Sequence, residues 1–143
     1  MKLQRNITAN KDALQANGGG FNDSTIQRFN LFPPMTRTTK HALAIVTAPD
    51  LPTARKLTTA ALRAKLVACA NLIPKLESHY WWQGKLEKSS EVLILFKTAS
   101  SHLAKLEQLI LRQHPYDTPE FIVLPLTGGN ERYLAWVQNS IQH

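Results

Sequence analysis

Two long apolar-rich segments, Val67 to Trp82 and Lys85 to Thr98, are separated only by Gln83-Gly84, and this spacing constrains the fold more than any other feature of the chain. A two-residue polar pair between such runs predicts the tight turn of an antiparallel β-hairpin. Sixteen residues precede the turn and fourteen follow it. At about 3.3 Å per residue the extended ribbon reaches roughly 45 Å, whereas a body of about a hundred residues has a diameter of roughly 35 Å. The tip therefore protrudes. A two-stranded ribbon is marginal in water by itself, and Tyr80, Trp81 and Trp82 sit near its tip, so the hairpin predicts packing on another copy of the chain.

At 143 residues and 43% hydrophobic, the chain is long enough to bury one proper core. Its formal charge of +7 suggests an anionic partner until the charge is located. Residues 1–40 hold six Lys or Arg against Asp12 and Asp23, so only +3 remains for the body. There the signs alternate, as in Lys85-Leu86-Glu87-Lys88, and no basic stripe exists to neutralise many phosphates; the composition argues against nucleic-acid binding. The single cysteine, Cys69, excludes an internal disulfide framework and fits a reducing, cytoplasmic setting. No apolar run approaches membrane-spanning length, so no membrane partner is expected.

Residues 1–39 are rich in Asn, Gln, Thr and Gly, with Gly18-Gly19-Gly20 and Pro33-Pro34 as breakers, and read as a mobile extension to a domain over residues 40–143. Three readings of this segment stand: a disordered tail, an organellar transit peptide, or residues upstream of a natural start at Met35. The domain opens with a strand at His41 to Thr47, followed by a helix that Asp50 caps, with Pro52 in its first turn and Ala54, Leu57, Ala61 and Ala64 at helical spacing. In the hairpin, Pro74 predicts a bulge or an edge, and Val92 to Phe96 a continuously buried centre. Ser100 or Ser101 is expected to cap a second helix carrying Leu103, Leu106 and Ile110, which Pro115 closes. A fourth strand at Phe121 to Leu126, a Gly128-Gly129 turn and an Asn130-capped helix with Leu134, Val137 and Ile141 complete the chain. The order β-α-β-β-α-β-α contains the split βαβ pattern. It predicts an α+β, ferredoxin-like fold, with an antiparallel four-stranded sheet and two helices on one face.

From Ala42 to about Ile141 the chain resembles the CutA divalent-cation tolerance proteins. The resemblance rests on Thr47-Ala48-Pro49, the run Leu66 to Pro74, Tyr80-Trp81-Trp82-Gln83-Gly84-Lys85, Lys97-Thr98, His114-Pro115-Tyr116, Pro119-Glu120 and Gly129 to Trp136. It implies a tight homotrimer whose long hairpins pair across subunits, a plan shared with PII signalling proteins, and a role in copper or other divalent-metal tolerance through binding rather than catalysis. The alternative it implies is a PII-like sensor or scaffold that holds a small ligand or a protein between subunits.

Thiolate suits Cu(I) and imidazole suits Cu(II) or Zn(II), so Cys69 and His114 are the candidate metal ligands. Cys69 lies in the apolar run Val67-Ala68-Cys69-Ala70, where a free thiol ordinarily packs as a small hydrophobe. His114 ends the second helix, where it can equally cap the helix dipole. Family members with proposed copper ligands carry a cysteine on the first strand and two adjacent histidines before the Pro-Tyr pair; those places here hold Val46, Gln113 and His114, so the full set is not kept. Trp82, Lys97, Tyr116, Glu120 and Tyr133 match family positions that resemble a cleft at the subunit boundary. There Lys97 can meet an anion or pair with Glu120, and the aromatics can meet a flat group or anchor the interface. No nucleophile and base stand at catalytic spacing, so the chain reads as a non-enzyme.

Overall fold

The computed structural model describes residues 36–142. Their element order is β1 (Thr36–Ala48), α1 (Leu51–Arg63), β2 (Cys69–Trp82), β3 (Lys85–Ala99), a short 3-10 turn (Ser100–His102), α2 (Leu103–Gln113), β4 (Ile122–Gly129) and α3 (Glu131–Ile141). The strands form one antiparallel sheet in the order β2-β3-β1-β4, the ferredoxin-like arrangement expected from the split βαβ pattern. Residues up to Met35, and His143, lie outside the described residues, and with them the expectations for the N-terminal segment. Residues 36–39, grouped with that segment by composition, belong to β1: Thr36 and Arg37 pair with Gly129 and Gly128. The Gly pair expected as a turn is thus the last part of β4, and a bulge between Arg37 and His41 absorbs the register change. Gly129 also admits α3, since a Cβ there would meet the Leu134 side chain at 3.4 Å.

Local chemistry explains most element ends. Asp50 accepts a hydrogen bond from the Thr53 amide at 2.8 Å, which caps α1 and holds the Asp50 carboxyl below its usual range. At the other end Leu66 N–H donates to the Ala61 carbonyl and Lys65 N–H to that of Leu62, with Lys65 in the left-handed region at φ 56°. This is a Schellman termination carrying Lys where Gly is usual. Asn130 caps α3 through the Tyr133 amide. The expected serine cap of α2 is replaced by the 3-10 turn; the N-cap residue is His102, which makes no side-chain cap bond.

Strand alternation sorts the core. Ala44, Val46 and Ala48 pair with Phe96, Ile94 and Val92, and all six are buried against Leu57 and Ala61 of α1 and Leu106 and Ile110 of α2. Leu93 and Leu95 point to the opposite face and are only half-buried, so the centre of β3 is not continuously buried as expected. The helices cover one face only. On the other face α3 covers one end: His41 and Ala99, an opposed pair, are buried there, and Tyr133 reaches Cys69. Beyond α3 this face is apolar and uncovered, with Ile73, Ile122 and Leu124 each close to half exposed.

The hairpin behaves as its length requires. Ladder pairing shifts between Ile73 and Leu76, where Lys75 adopts φ 61° directly after Pro74, so Ile73 and Leu76 stay on one face across a bulge. Past the last β1–β3 pair, Ala48 with Val92, β3 pairs among the described residues with β2 alone. The free ribbon runs from Leu76 opposite Glu91 to Trp82 opposite Lys85, a projection of about 20 Å at ~3.3 Å per residue. Gln83 and Gly84 both take positive φ, 48° and 76°, the signature of a type I′ turn. Because left-handed backbone costs a residue with a Cβ about 1–2 kcal/mol, Lys65→Gly is expected to stabilise the fold by about 1 kcal/mol and Gly84→Ala to destabilise it by a similar amount. Urea unfolding of both variants checks the opposite signs.

Candidate functional site

A cavity of about 1000 Å³ opens on the face of the sheet away from α1 and α2, at the root of the free ribbon. Its walls come from two sources. Leu76, Tyr80 and Trp82 line it from one face of β2 with Glu91 and Leu93 of β3, and the loop from Pro115 to Glu120 closes the other side. The bulge at Pro74-Lys75 is what places these residues together: without the extra residue, Leu76, Tyr80 and Trp82 would turn to the other face of the ribbon.

The loop is held to the sheet by His114. Its Nε2 lies 2.8 Å from the Thr47 carbonyl and its Nδ1 3.0 Å from the Tyr116 amide nitrogen. A carbonyl can only accept and an amide can only donate, so the ring is neutral with its proton on Nε2. The Tyr116 ring stacks obliquely on His114 at 4.9 Å, and its hydroxyl donates to Glu91 Oε1 at 3.2 Å. Burial, and next the negative charge of Glu91, push the Tyr116 phenol above its usual pKa, so it remains a donor. Glu91 itself is only 8% exposed.

These contacts redistribute the residues expected from sequence. Trp82, Tyr116 and Glu120 do line one cavity. Lys97 and Tyr133 do not: Lys97 pairs with Cys69 in the ladder, four residues along β3 from Leu93, about 13 Å at ~3.3 Å per residue. Among the described residues Lys97 and Glu120 form no ion pair. Instead the Cys69 thiol lies 3.5 Å from the Tyr133 hydroxyl, under α3. Burial and the Cys69 contact push the Tyr133 phenol up to about 12.

His114 is not placed as a metal ligand, because its Nε2 carries the proton given to Thr47 and the lone pair of Nδ1 is taken by the Tyr116 amide. Cys69 is half-buried, and among the described residues no three of His, Cys, Asp and Glu converge as a metal site. The residues that sequence reasoning missed are Glu91, Tyr80, His79 and Asp117, all at the cavity. Glu91 carried one legible sign, an acid at the threshold of the apolar run Val92 to Phe96.

The chain is an α+β protein with one sheet face covered by helices, the other largely open, and a cavity at the root of a projecting ribbon. Its family follows from comparison. The family model described as CutA1 divalent ion tolerance protein matches residues 42–140. The divalent-cation tolerance protein CutA of Pectobacterium atrosepticum is 45% identical over 98 residues, covering 68% of this chain and 89% of that one. The chloroplastic CutA protein of Arabidopsis thaliana is 39% identical over 108 residues, 76% of this chain and 59% of its own length. Among solved structures, CutA1 from Oryza sativa superposes with a TM-score of 0.71 at 38% identity, covering 76% of this chain and 99% of that one. The chain belongs to the CutA divalent ion tolerance family.

Two outcomes follow. His114→Ala leaves the Tyr116 amide and the Thr47 carbonyl unsatisfied in a buried place, and is expected to lower unfolding free energy by about 1–3 kcal/mol, read by urea denaturation. For Tyr133 the folded chain holds the phenol proton more tightly than the unfolded chain does. Its contribution is therefore intact below about pH 10 and lost as pH rises toward 12. Near-ultraviolet titration should show late phenol ionisation from Tyr116 and Tyr133, of which Tyr133→Phe removes the step near pH 12.

Proposed function

We propose that this CutA chain works as a homotrimer that serves divalent-cation tolerance by binding, without turnover, and that its ligands enter at the cavity under the hairpin. The observation that carries the reading is the uncovered face. Ile73, Ile122 and Leu124 expose a contiguous apolar surface next to a ribbon whose Trp81 and Trp82 are 73% and 57% exposed, more than a stable protomer leaves to water. Both features are satisfied by further copies of the same chain, and family membership fits a trimer. No helix among the described residues is long and apolar enough to cross a membrane.

For Cu(II) or another divalent cation, the groups at the cavity are Asp117 and Glu120. Carboxylates suit a divalent ion, and in this reading the remaining ligands come from the neighbouring copy. The aromatic lining by Tyr80, Trp82 and Tyr116 favours a second reading beside this one, a PII-like sensor whose cavity holds a small organic ligand.

Light scattering on the full chain tests the assembly. The expected mass is about 48 kDa, three copies of a 16.1 kDa chain, and a monomer mass would refute it. Calorimetric titration with Cu(II) should show saturable uptake that the double variant Asp117→Asn, Glu120→Gln weakens. Trp82→Ala should lower thermal stability together with trimer mass, since in a lone protomer this side chain has little burial to lose.

A further inference from the structure

We infer that the cavity under the hairpin is a site for an organic ammonium ion, with Glu91 as its buried counter-charge and Tyr80, Trp82 and Tyr116 as its aromatic walls. The inference rests on the reading of this cavity as the ligand site and names the class of ligand.

Glu91 is the observation that demands a partner. It is 8% exposed, lines the cavity, and accepts one hydrogen bond, from the Tyr116 hydroxyl to Oε1. Among the described residues no Lys or Arg lines the cavity, and the carboxylate has no ion-pair partner. A carboxylate withdrawn from water is costly unless it meets a positive charge. The Tyr116 phenol cannot supply one. Asp117 and Glu120 add negative charge on the loop side, and His79 is turned to Glu77, 2.8 Å away, so the field in the cavity favours a cation.

Size and lining define a second cation class that this chain can hold by itself. A divalent metal needs several convergent ligands, and no three such side chains of the described residues meet without a neighbouring copy. An ammonium group needs one counter-charge, one acceptor direction and π faces, which is the set present here. A volume of about 1000 Å³ suits an organic molecule rather than a bare ion. The same lining excludes nucleotides and other polyanions, for which no cationic side chain stands in the cavity.

Choline and its neutral isostere 3,3-dimethylbutan-1-ol separate charge recognition from apolar filling. With the full chain at constant ionic strength, choline should raise the melting temperature and give a saturable calorimetric isotherm, while the alcohol and sodium chloride do neither. Glu91→Gln should weaken choline by about tenfold or more. Tyr80→Leu, at a side chain 42% exposed and so tolerated by the fold, should weaken it as well, which keeps the test open if Glu91→Gln unfolds. Equal binding of the alcohol, or undiminished choline binding in a folded Glu91→Gln chain, would overturn the inference. Loss of trimer mass in Glu91→Gln with no choline binding in the parent would also overturn it, assigning the counter-charge to a neighbouring copy. Saturable Cu(II) uptake by a parent chain that ignores choline would refute the ammonium class and leave the cavity as ligand site; uptake of neither would end both readings.

Discussion

The antiparallel pairing of β1 with β3 is the constraint on which the remainder of the molecule depends. Running from His41 opposite Ala99 to Ala48 opposite Val92, it sets a register in which even-numbered residues of both strands face α1 and α2. A shift by one residue would exchange Ala44, Val46, Ile94 and Phe96 for Leu43, Ile45, Leu93 and Leu95. Both sets are apolar, so hydrophobicity alone does not choose between them. Side-chain size does: Ala44 and Ala48 on β1 leave room for two helices to approach the sheet, while the larger set is left for the opposite face. The uncovered apolar face is therefore a consequence of the packing on the covered one.

The bulge at Pro74-Lys75 extends this division into the ribbon. Proline has no amide hydrogen to give the ladder, and Lys75 in the left-handed region takes up the extra residue. From Leu76 onward the residues facing the cavity are again those continuous with the open face. The two-strand arm and the body thus present one surface, on which apolar residues give way to Tyr80, Trp82 and Glu91.

The elements and their order were legible in the sequence because each has a local cause: Asp50 and Asn130 as caps, Gln83-Gly84 as a turn, Pro115 as a stop. The extent of β1 and β4 was not, since Thr36 and Gly129 are strand only through each other, a pairing that neither segment announces alone. The site was half legible. Trp82, Tyr116 and Glu120 were found through resemblance, but resemblance carries no register, and register is what separates Lys97 and Tyr133 from them. His114 was marked for its chemistry, and its Nε2 proton and Nδ1 lone pair are spent on the Thr47 carbonyl and the Tyr116 amide, contacts 67 and two residues away in sequence. Glu91 escaped because its burial depends on a loop 25 residues distant.

Fold and cavity are coupled through that same loop. The His114 clamp fixes Tyr116, and Tyr116 fixes the orientation of Glu91 across to the ribbon, so one chain of hydrogen bonds joins the rigid body to the base of the arm. The arm contributes the other wall while having only its own two strands to stabilise it. Anything that binds between the walls therefore favours the state in which the arm is held against the loop, and anything that holds the arm from outside pre-forms the cavity. By reciprocity of linkage the two effects are equal in free energy. If the chain assembles and binds as proposed, the two are a single coupled equilibrium, with Glu91 and Tyr116 at the point where they meet.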